Sequence, residues 1–146
     1  MRSALLATMS MIALLSACNG SDGSGPGVTA VGAYTLVSVN GSPVPAVTQN
    51  DATIKTEVLS GTLVMGGGYA FTESRQGRIT LNGGTPSQIT ATQSGTWSKS
   101  GTRLTFASGT PQNPVGFTGT SVAGTLTYTT AGSTFVYQLL PNCPNC

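Results

Sequence analysis

The chain has 146 residues, a net charge of +2 and only 7% charged residues. It contains no histidine, which excludes serine and cysteine hydrolases with a histidine base and removes the commonest transition-metal ligand. Its few basic residues do not cluster into the basic face that nucleic-acid binding requires. We therefore expect neither a cofactor nor a nucleic-acid partner.

The first 17 residues, Met1 to Ala17, have the pattern of a secretory signal peptide. Arg2 precedes an uncharged apolar stretch that is too short to span a bilayer. The stretch ends in Leu15-Ser16-Ala17-Cys18, which resembles the lipobox of bacterial lipoproteins. That resemblance implies cleavage before Cys18 and attachment of lipid, including acyl chains such as palmitate, to its thiol. The alternative is an ordinary signal peptide, cleaved near Ala17, with a chance cysteine behind it.

Residues 18–30 have the composition of a flexible tether behind the lipidated position. The segment NGSDGSGPGVTA, from Asn19 to Ala30, has no apolar period and cannot bury a core. An aspartate directly after the lipidated cysteine resembles the inner-membrane retention signal of enterobacterial lipoproteins, and Asn19 stands there instead. We therefore expect a lipid-anchored protein of the cell envelope, in the outer membrane rather than the inner one. Exposure to the periplasm or to the cell surface stays open.

Residues 31–140 contain enough chain for one domain with one core, and their hydrophobic residues alternate with polar ones in short runs. This period of two predicts an all-β domain. The eight predicted strands are Gly32–Asn40, Glu57–Met65, Tyr69–Ser74, Arg78–Asn82, Gln88–Lys99, Thr102–Ser108, Ser121–Thr129 and Ser133–Leu140.

Turn chemistry separates these runs. Glycine-containing turns are predicted at Gly66–Gly68, Gly83–Gly84, Ser100–Gly101 and Ala131–Gly132. Two segments show no strand period: Val44–Thr56, which holds one short helix or a long loop, and the irregular Gly109–Gly119. Sequential hairpins favour an eight-stranded antiparallel up-and-down barrel, because closure removes exposed strand edges. A β-sandwich is the alternative.

Short motifs in the domain point to the same fold. Gly32-Ala33-Tyr34, followed by Asn40-Gly41-Ser42-Pro43, resembles the opening of lipocalin-like domains in bacterial lipoproteins. Ser94-Gly95-Thr96-Trp97 with Gly101-Thr102-Arg103-Leu104 is similar to a hairpin that recurs in such domains. The resemblance implies a lipocalin-like barrel over residues 31–140.

The carboxylates of the domain do not suggest catalysis. Asp51, Glu57 and Glu73 are its only acidic residues, and we expect them to be solvated on the surface. Glu57 and Glu73 lie on separate predicted strands, and nothing in their spacing pairs them as an acid and a base. We therefore expect that the protein is not an enzyme.

The aromatic residues either line a ligand cavity or form the core. Barrels of this size fill with side chains or hold one small apolar ligand, and a small domain needs its large residues for stability, which favours the core. The single tryptophan lies beside a predicted turn and is expected to be buried against Leu104 or Phe106. The candidate ligand-binding residues are Tyr34, Tyr69, Phe71, Trp97, Phe106, Tyr128, Phe135 and Tyr137.

Residues 141–146 form a short tail that ends in CPNC. In an oxidising compartment Cys143 and Cys146 are expected to form a local disulfide. A redox-active C-x-x-C motif has its first cysteine at the start of a helix, whereas here a predicted strand and Pro141 precede it. Two thiolates would also leave a tetrahedral zinc site half empty, so no metal is expected.

Two classes of function fit these observations. The first is a membrane-anchored, non-catalytic binding module for a small apolar molecule or a component of the cell envelope. The second is a structural lipoprotein whose filled barrel presents loops, such as Ser108–Gly119, to another protein. A cavity lined by the aromatic residues favours the first, and a packed interior with an exposed apolar patch favours the second.

Overall fold

The computed structural model describes residues 30–110 and 113–141. All the regular elements in this part of the chain are strands, which confirms the all-β prediction. They are β1 (Gly32–Val39), β2 (Ser42–Pro43), β3 (Ala46–Asn50), β4 (Ile54–Met65), β5 (Ala70–Leu81), β6 (Ser87–Ser100), β7 (Arg103–Thr110), β8 (Asn113–Val122), β9 (Thr125–Thr130) and β10 (Ser133–Leu139).

Eight of these strands close into the predicted up-and-down barrel. Strands β4 to β9 each pair antiparallel with the next strand in the chain, and β1 closes the barrel between β10 and β4. Tyr34 of β1 lies opposite Leu139 on one side and Leu63 on the other. The short β2 pairs with the end of β1, and β3 pairs with the start of β4.

The boundaries of several strands differ from those that the period of two predicts. The predicted strands Tyr69–Ser74 and Arg78–Asn82 are one strand, β5, because its middle residues continue the ladder with β4 and β6. The predicted strand Ser121–Thr129 is two, because Ala123 and Gly124 form a turn with positive φ angles of 48° and 78°. One merger and one division leave the count of barrel strands at eight.

The two segments without an evident period are also mainly strand. Val44–Thr56 contains β3 and the start of β4 rather than a helix, and most of Gly109–Gly119 belongs to β8 and the end of β7. The four predicted turns all lie between consecutive strands, as expected. Hydrogen bonding to neighbouring strands, and not local hydrophobic alternation, makes β3 and β8 extended.

The barrel has two unlike ends. At the terminal end, Gly32 lies opposite Met65, and the Leu140 N–H donates to the Ala33 carbonyl over 2.8 Å, so both ends of the domain lie there. At the opposite end, β6 pairs with β7 only as far as Gly95–Ser108, and β4, β5 and β6 continue beyond that pair. We call residues 54–60, 75–81 and 87–94 the projecting sheet. A register shift between Val58 and Ser60 marks where β4 enters this sheet, and such bulges bend a strand.

Candidate functional site

The barrel interior is filled with aromatic rings in mutual contact. Alternation along the strands points these side chains inward, and each is at most 7% exposed. The ring centroids of Phe106 and Phe117 are 4.7 Å apart, those of Phe117 and Tyr128 4.8 Å, and those of Tyr128 and Phe135 5.3 Å. Rings at these distances pack against one another as a core.

The structure brings seven of the eight candidate ligand-binding residues into this interior. They are Tyr34, Phe71, Trp97, Phe106, Tyr128, Phe135 and Tyr137. The eighth, Tyr69, lies in the turn between β4 and β5 and is 62% exposed. Its ring centroid is 5.5 Å from that of Trp97, so it covers the tryptophan from outside.

Trp97 is buried, as its sequence context predicts. It is 7% exposed and lies opposite Phe106 in the β6–β7 ladder. Its indole N–H donates to the carbonyl oxygen of Gly66 over 3.3 Å, which satisfies the one polar atom of the ring.

The centre of the barrel also holds a carboxylate, which corrects the expectation that all the carboxylates are on the surface. Glu73 is 1% exposed. Its carboxylate accepts hydrogen bonds from the hydroxyls of Tyr128 and Tyr137 and from the side-chain amide of Gln93. Because Glu73 follows Phe71 by two residues in the same strand, the two side chains point to the same face. That parity was the signal in the sequence for an inward-facing acid.

The two tyrosines are held as proton donors to this carboxylate. Burial raises the pKa of Tyr128 well above its ordinary value, and the negative charge of Glu73 raises it further. Burial likewise raises the pKa of Tyr137, with added contributions from Tyr128 and Glu73. Both phenols therefore keep their protons at physiological pH and hold Glu73 in place.

Arg75 is the cation of this cluster, yet it uses few of its donors. Its Nε lies 3.4 Å from a carboxylate oxygen of Glu73, and its guanidinium carbon lies 4.3 Å from the centroid of the Phe135 ring. Nε is buried and makes no hydrogen bond. A guanidinium has five N–H donors, so Arg75 can still accept a ligand. It was not a candidate from the sequence, because its unused donors depend on the tertiary contacts.

Arg75 also borders a pocket on the projecting sheet. The pocket has a volume of about 170 Å³. Its apolar wall consists of Val58, Gly77, Ile89 and Ala91, and Thr56, Glu57 and Gln76 complete the lining. A Cβ at Gly77 would lie 3.2 Å from the Ile89 side chain and 2.9 Å from a backbone carbonyl, so glycine keeps this wall open. The arrangement places one cation beside an apolar surface.

The other two carboxylates of the domain lie away from the barrel interior. Asp51 is exposed and accepts hydrogen bonds from the side chain of Gln49 and the backbone N–H groups of Thr53 and Ile54, which lower its pKa. Glu57 forms ion pairs with Arg78 at 2.7 Å and Lys55 at 3.2 Å, and these partners lower its pKa. Both have the local structural roles expected of surface carboxylates.

The described part of the chain has neither a metal-ligand cluster nor a helix that could span a membrane. Within residues 30–110 and 113–141, no three side chains of the types that ligate metals lie together. No helix of bilayer-spanning length and hydropathy occurs there either. The expected lipidation site, Cys18, and the expected disulfide between Cys143 and Cys146 fall outside the described residues.

No protein-family model, no curated protein and no solved structure matches the chain.

Proposed function

We propose that this protein is a lipid-anchored, non-catalytic binding module of the cell envelope that binds a small amphiphile through a carboxylate or similar anion. The observation that carries the proposal is the Arg75 guanidinium, whose buried Nε makes no hydrogen bond and which borders an apolar pocket. Charge-assisted bonds from arginine to a carboxylate are frequently bidentate and are among the strongest that proteins form. The ligand class thus follows from a guanidinium with an unused Nε–H donor beside an apolar wall.

The position of the pocket favours binding at the rim of the barrel instead of in its centre. The aromatic residues that we considered as cavity lining contact one another, and Glu73 occupies the space between their hydroxyls. A pocket of about 170 Å³ is smaller than the usual 300 to 1,000 Å³ of drug-sized sites. It suits a small molecule or one end of a longer apolar chain.

The chain direction also supports a tethered binding module. Ala30 and Gly32 lie at the terminal end of the barrel, and the projecting sheet with its pocket lies at the other. If Cys18 is the anchor, the tether therefore joins the barrel at the end opposite the pocket. Cys18→Ser should abolish incorporation of labelled palmitate and release the protein from membranes. Continued labelling and membrane association of this variant would contradict the anchor.

Binding can be tested by calorimetric titration with octanoate and octan-1-ol, which share an apolar chain and differ in charge. We expect octanoate to bind at least about tenfold more tightly, because only its charged carboxylate can accept a charge-assisted, bidentate pair of hydrogen bonds from Arg75. Arg75→Gln should remove this difference. Arg78→Gln, on the same strand but paired with Glu57 away from the barrel interior, is the matched control and should keep it.

Because Arg75 contacts the buried Glu73, the Arg75→Gln protein could lose binding through misfolding. A second variant therefore tests the pocket without changing Arg75. Ala91→Trp should fill the pocket and abolish binding of both compounds while leaving the charge cluster intact. Equal affinity of the unsubstituted protein for octanoate and octan-1-ol, or unchanged binding in Ala91→Trp, would contradict the proposed site.

The second candidate function is a structural or protein-interaction lipoprotein with a filled barrel. The observation that favours it is the packed aromatic interior together with exposed apolar residues on the outer wall and strand ends. Val47 is 48% exposed, Leu81 57%, and Val122 56%. Failure of both compounds to bind, with the fold intact, would favour this function.

A further inference from the structure

One edge of the projecting sheet is not covered by any described strand. β6 pairs with β7 only from Gly95 to Ser100, whereas Ser87–Ser94 pairs with β5 alone. Residues 87–92 are exposed on both faces of the sheet. Proteins usually protect such edges with charges, prolines or bulges. The segment SQITATQS has no charge and no proline, and its register with β5 is continuous.

The hydrogen-bonding pattern shows which residues face the open edge. The Trp97 N–H donates to the Tyr69 carbonyl over 2.8 Å, so odd-numbered residues of β6 bond to the β5 side. In an antiparallel ladder the backbone groups of successive residues point to alternate sides. Gln88, Thr90, Thr92 and Ser94 therefore direct their N–H and C=O groups at the open edge.

We propose that this edge pairs antiparallel with the same edge of a second copy of the chain, in a register centred on Ala91. A two-fold axis through Ala91 places Thr90 opposite Thr92 and Gln88 opposite Ser94 of the other copy. All four outward-facing residues then find backbone partners. The central pair is Ala91 with itself, a small residue where the two strands approach most closely.

The composition of the edge favours a second copy over another partner. Opposed like charges destabilise strand pairs, and this segment has none, so it can oppose itself without repulsion. Cross-strand threonine pairs are favourable, and the register provides two of them. The pairing would continue the projecting sheet and extend the wall that Ile89 and Ala91 form. The pairing is made by the backbone of β6 and not by the Arg75 side chain, so it is tested separately from ligand binding.

Antiparallel pairing also orients the two copies. The paired strands run in opposite directions, so the terminal ends of the two barrels point away from each other. Two copies anchored through the expected tether would therefore be attached to two facing membrane surfaces, and not side by side to the same surface.

Sedimentation velocity of the full chain in detergent, over a concentration series, tests the pairing. The unsubstituted chain should dimerise. Thr90→Lys with Thr92→Lys opposes like charges twice and should weaken dimerisation by about tenfold or more. Thr90→Lys with Thr92→Glu, at the same positions, opposes unlike charges in this register and should retain the dimer. A monomer at all concentrations would overturn the proposal, and loss of the dimer in both variants would overturn the register.

Disulfide crosslinking provides a second measurement, with Cys143 and Cys146 replaced by serine. Directly opposed residues have Cβ atoms about 4.5 to 5.5 Å apart, so Ala91→Cys should yield a crosslinked dimer after mild oxidation. Ser98→Cys is the matched control on the same strand, where β7 covers the edge, and should stay monomeric. Equal crosslinking of the two variants, or crosslinking of Ala91→Cys only to a different protein in cells, would overturn pairing between copies.

Discussion

Strands β4, β5 and β6 run through both the closed part of the barrel, where all eight strands pair, and the projecting sheet. The burial of their side chains differs between the two regions. Near the terminal end, β4 alternates strictly between exposed and buried residues, and Leu63 and Met65 are at most 1% exposed. In the projecting sheet the inward-facing Ile89 is 39% exposed. In both regions successive residues of a strand point to opposite faces of the sheet. The difference shows that alternation determines the face of the sheet to which a side chain points. Burial of that side chain also requires strands on the opposite side of the barrel.

The comparison predicts the largest effect at the centre of the closed part. Glu73→Ala should lower the free energy of unfolding by about 5 kcal/mol, since it leaves the cation and the buried donors around it without their acceptor. Urea denaturation measures the loss. Glu57→Ala, which removes a carboxylate away from the barrel interior, should have a much smaller effect. Equal losses in the two variants would contradict the special position of Glu73.

A substitution at the terminal end of the barrel should lower the free energy of unfolding somewhat less. Trp97→Ala is expected to cost about 3 kcal/mol, the lower end of the range for a buried aromatic residue, because the ring is slightly exposed. Denaturation and fluorescence of the unsubstituted protein check this in two ways. A water-like emission maximum with free acrylamide quenching would contradict burial of the indole.

The point where β6 leaves β7 should be sensitive to a single methyl group. A Cβ at Gly95 would overlap the backbone carbonyl of Ala107, so Gly95→Ala should cost about 2 kcal/mol. A Cβ at Gly67 would have no neighbour within 4 Å, and Gly67→Ala should change stability by less than about 0.5 kcal/mol. Thermal denaturation of the pair compares them. Similar melting temperatures would show that the two strands do not approach closely.

Alkaline pH should destabilise the closed part through its buried phenols. The pKa values of Tyr128 and Tyr137 are raised by folding, so above about pH 10 the unfolded chain releases these protons first. Stability should be independent of these groups below pH 10 and fall above it. Tyr137→Phe removes one of them and should reduce the slope by up to about 1.4 kcal/mol per pH unit. Denaturation midpoints measured between pH 9 and 12 check this expectation. A slope that is the same in Tyr137→Phe and in the unsubstituted protein would contradict it.

The smallest effect is expected on the projecting sheet. Ile89→Ala should cost less than about 1 kcal/mol at low protein concentration, because the side chain is already partly solvated. Leu104→Ala, at a position that is fully buried in the closed part, is the matched control and should cost about 3 kcal/mol. Similar losses for the two would mean that the projecting sheet is buried as deeply as the barrel.

Several features of the site could be predicted in part. The parity of β5 and β6 predicts which residues face inward, and it correctly places Trp97 inside. The same parity points Glu73 inward, against the general preference of carboxylates for water, and so the expectation of a surface position was wrong. Two tyrosines from β9 and β10 satisfy this acid, and their approach depends on closure of the barrel, which brings distant strands together.

Local sequence patterns predict the all-β class, most of the barrel strands and four of the turns, because the period of two and glycine-containing turns are local properties. Only the tertiary structure decided that β5 is one strand, that Glu73 is buried and that the edge of Ser87–Ser94 is open. These features depend on which strands meet and where their pairing stops. Pairing is set by contacts between residues far apart in the chain, and hydrophobic alternation within one strand contains no information about its neighbour's length.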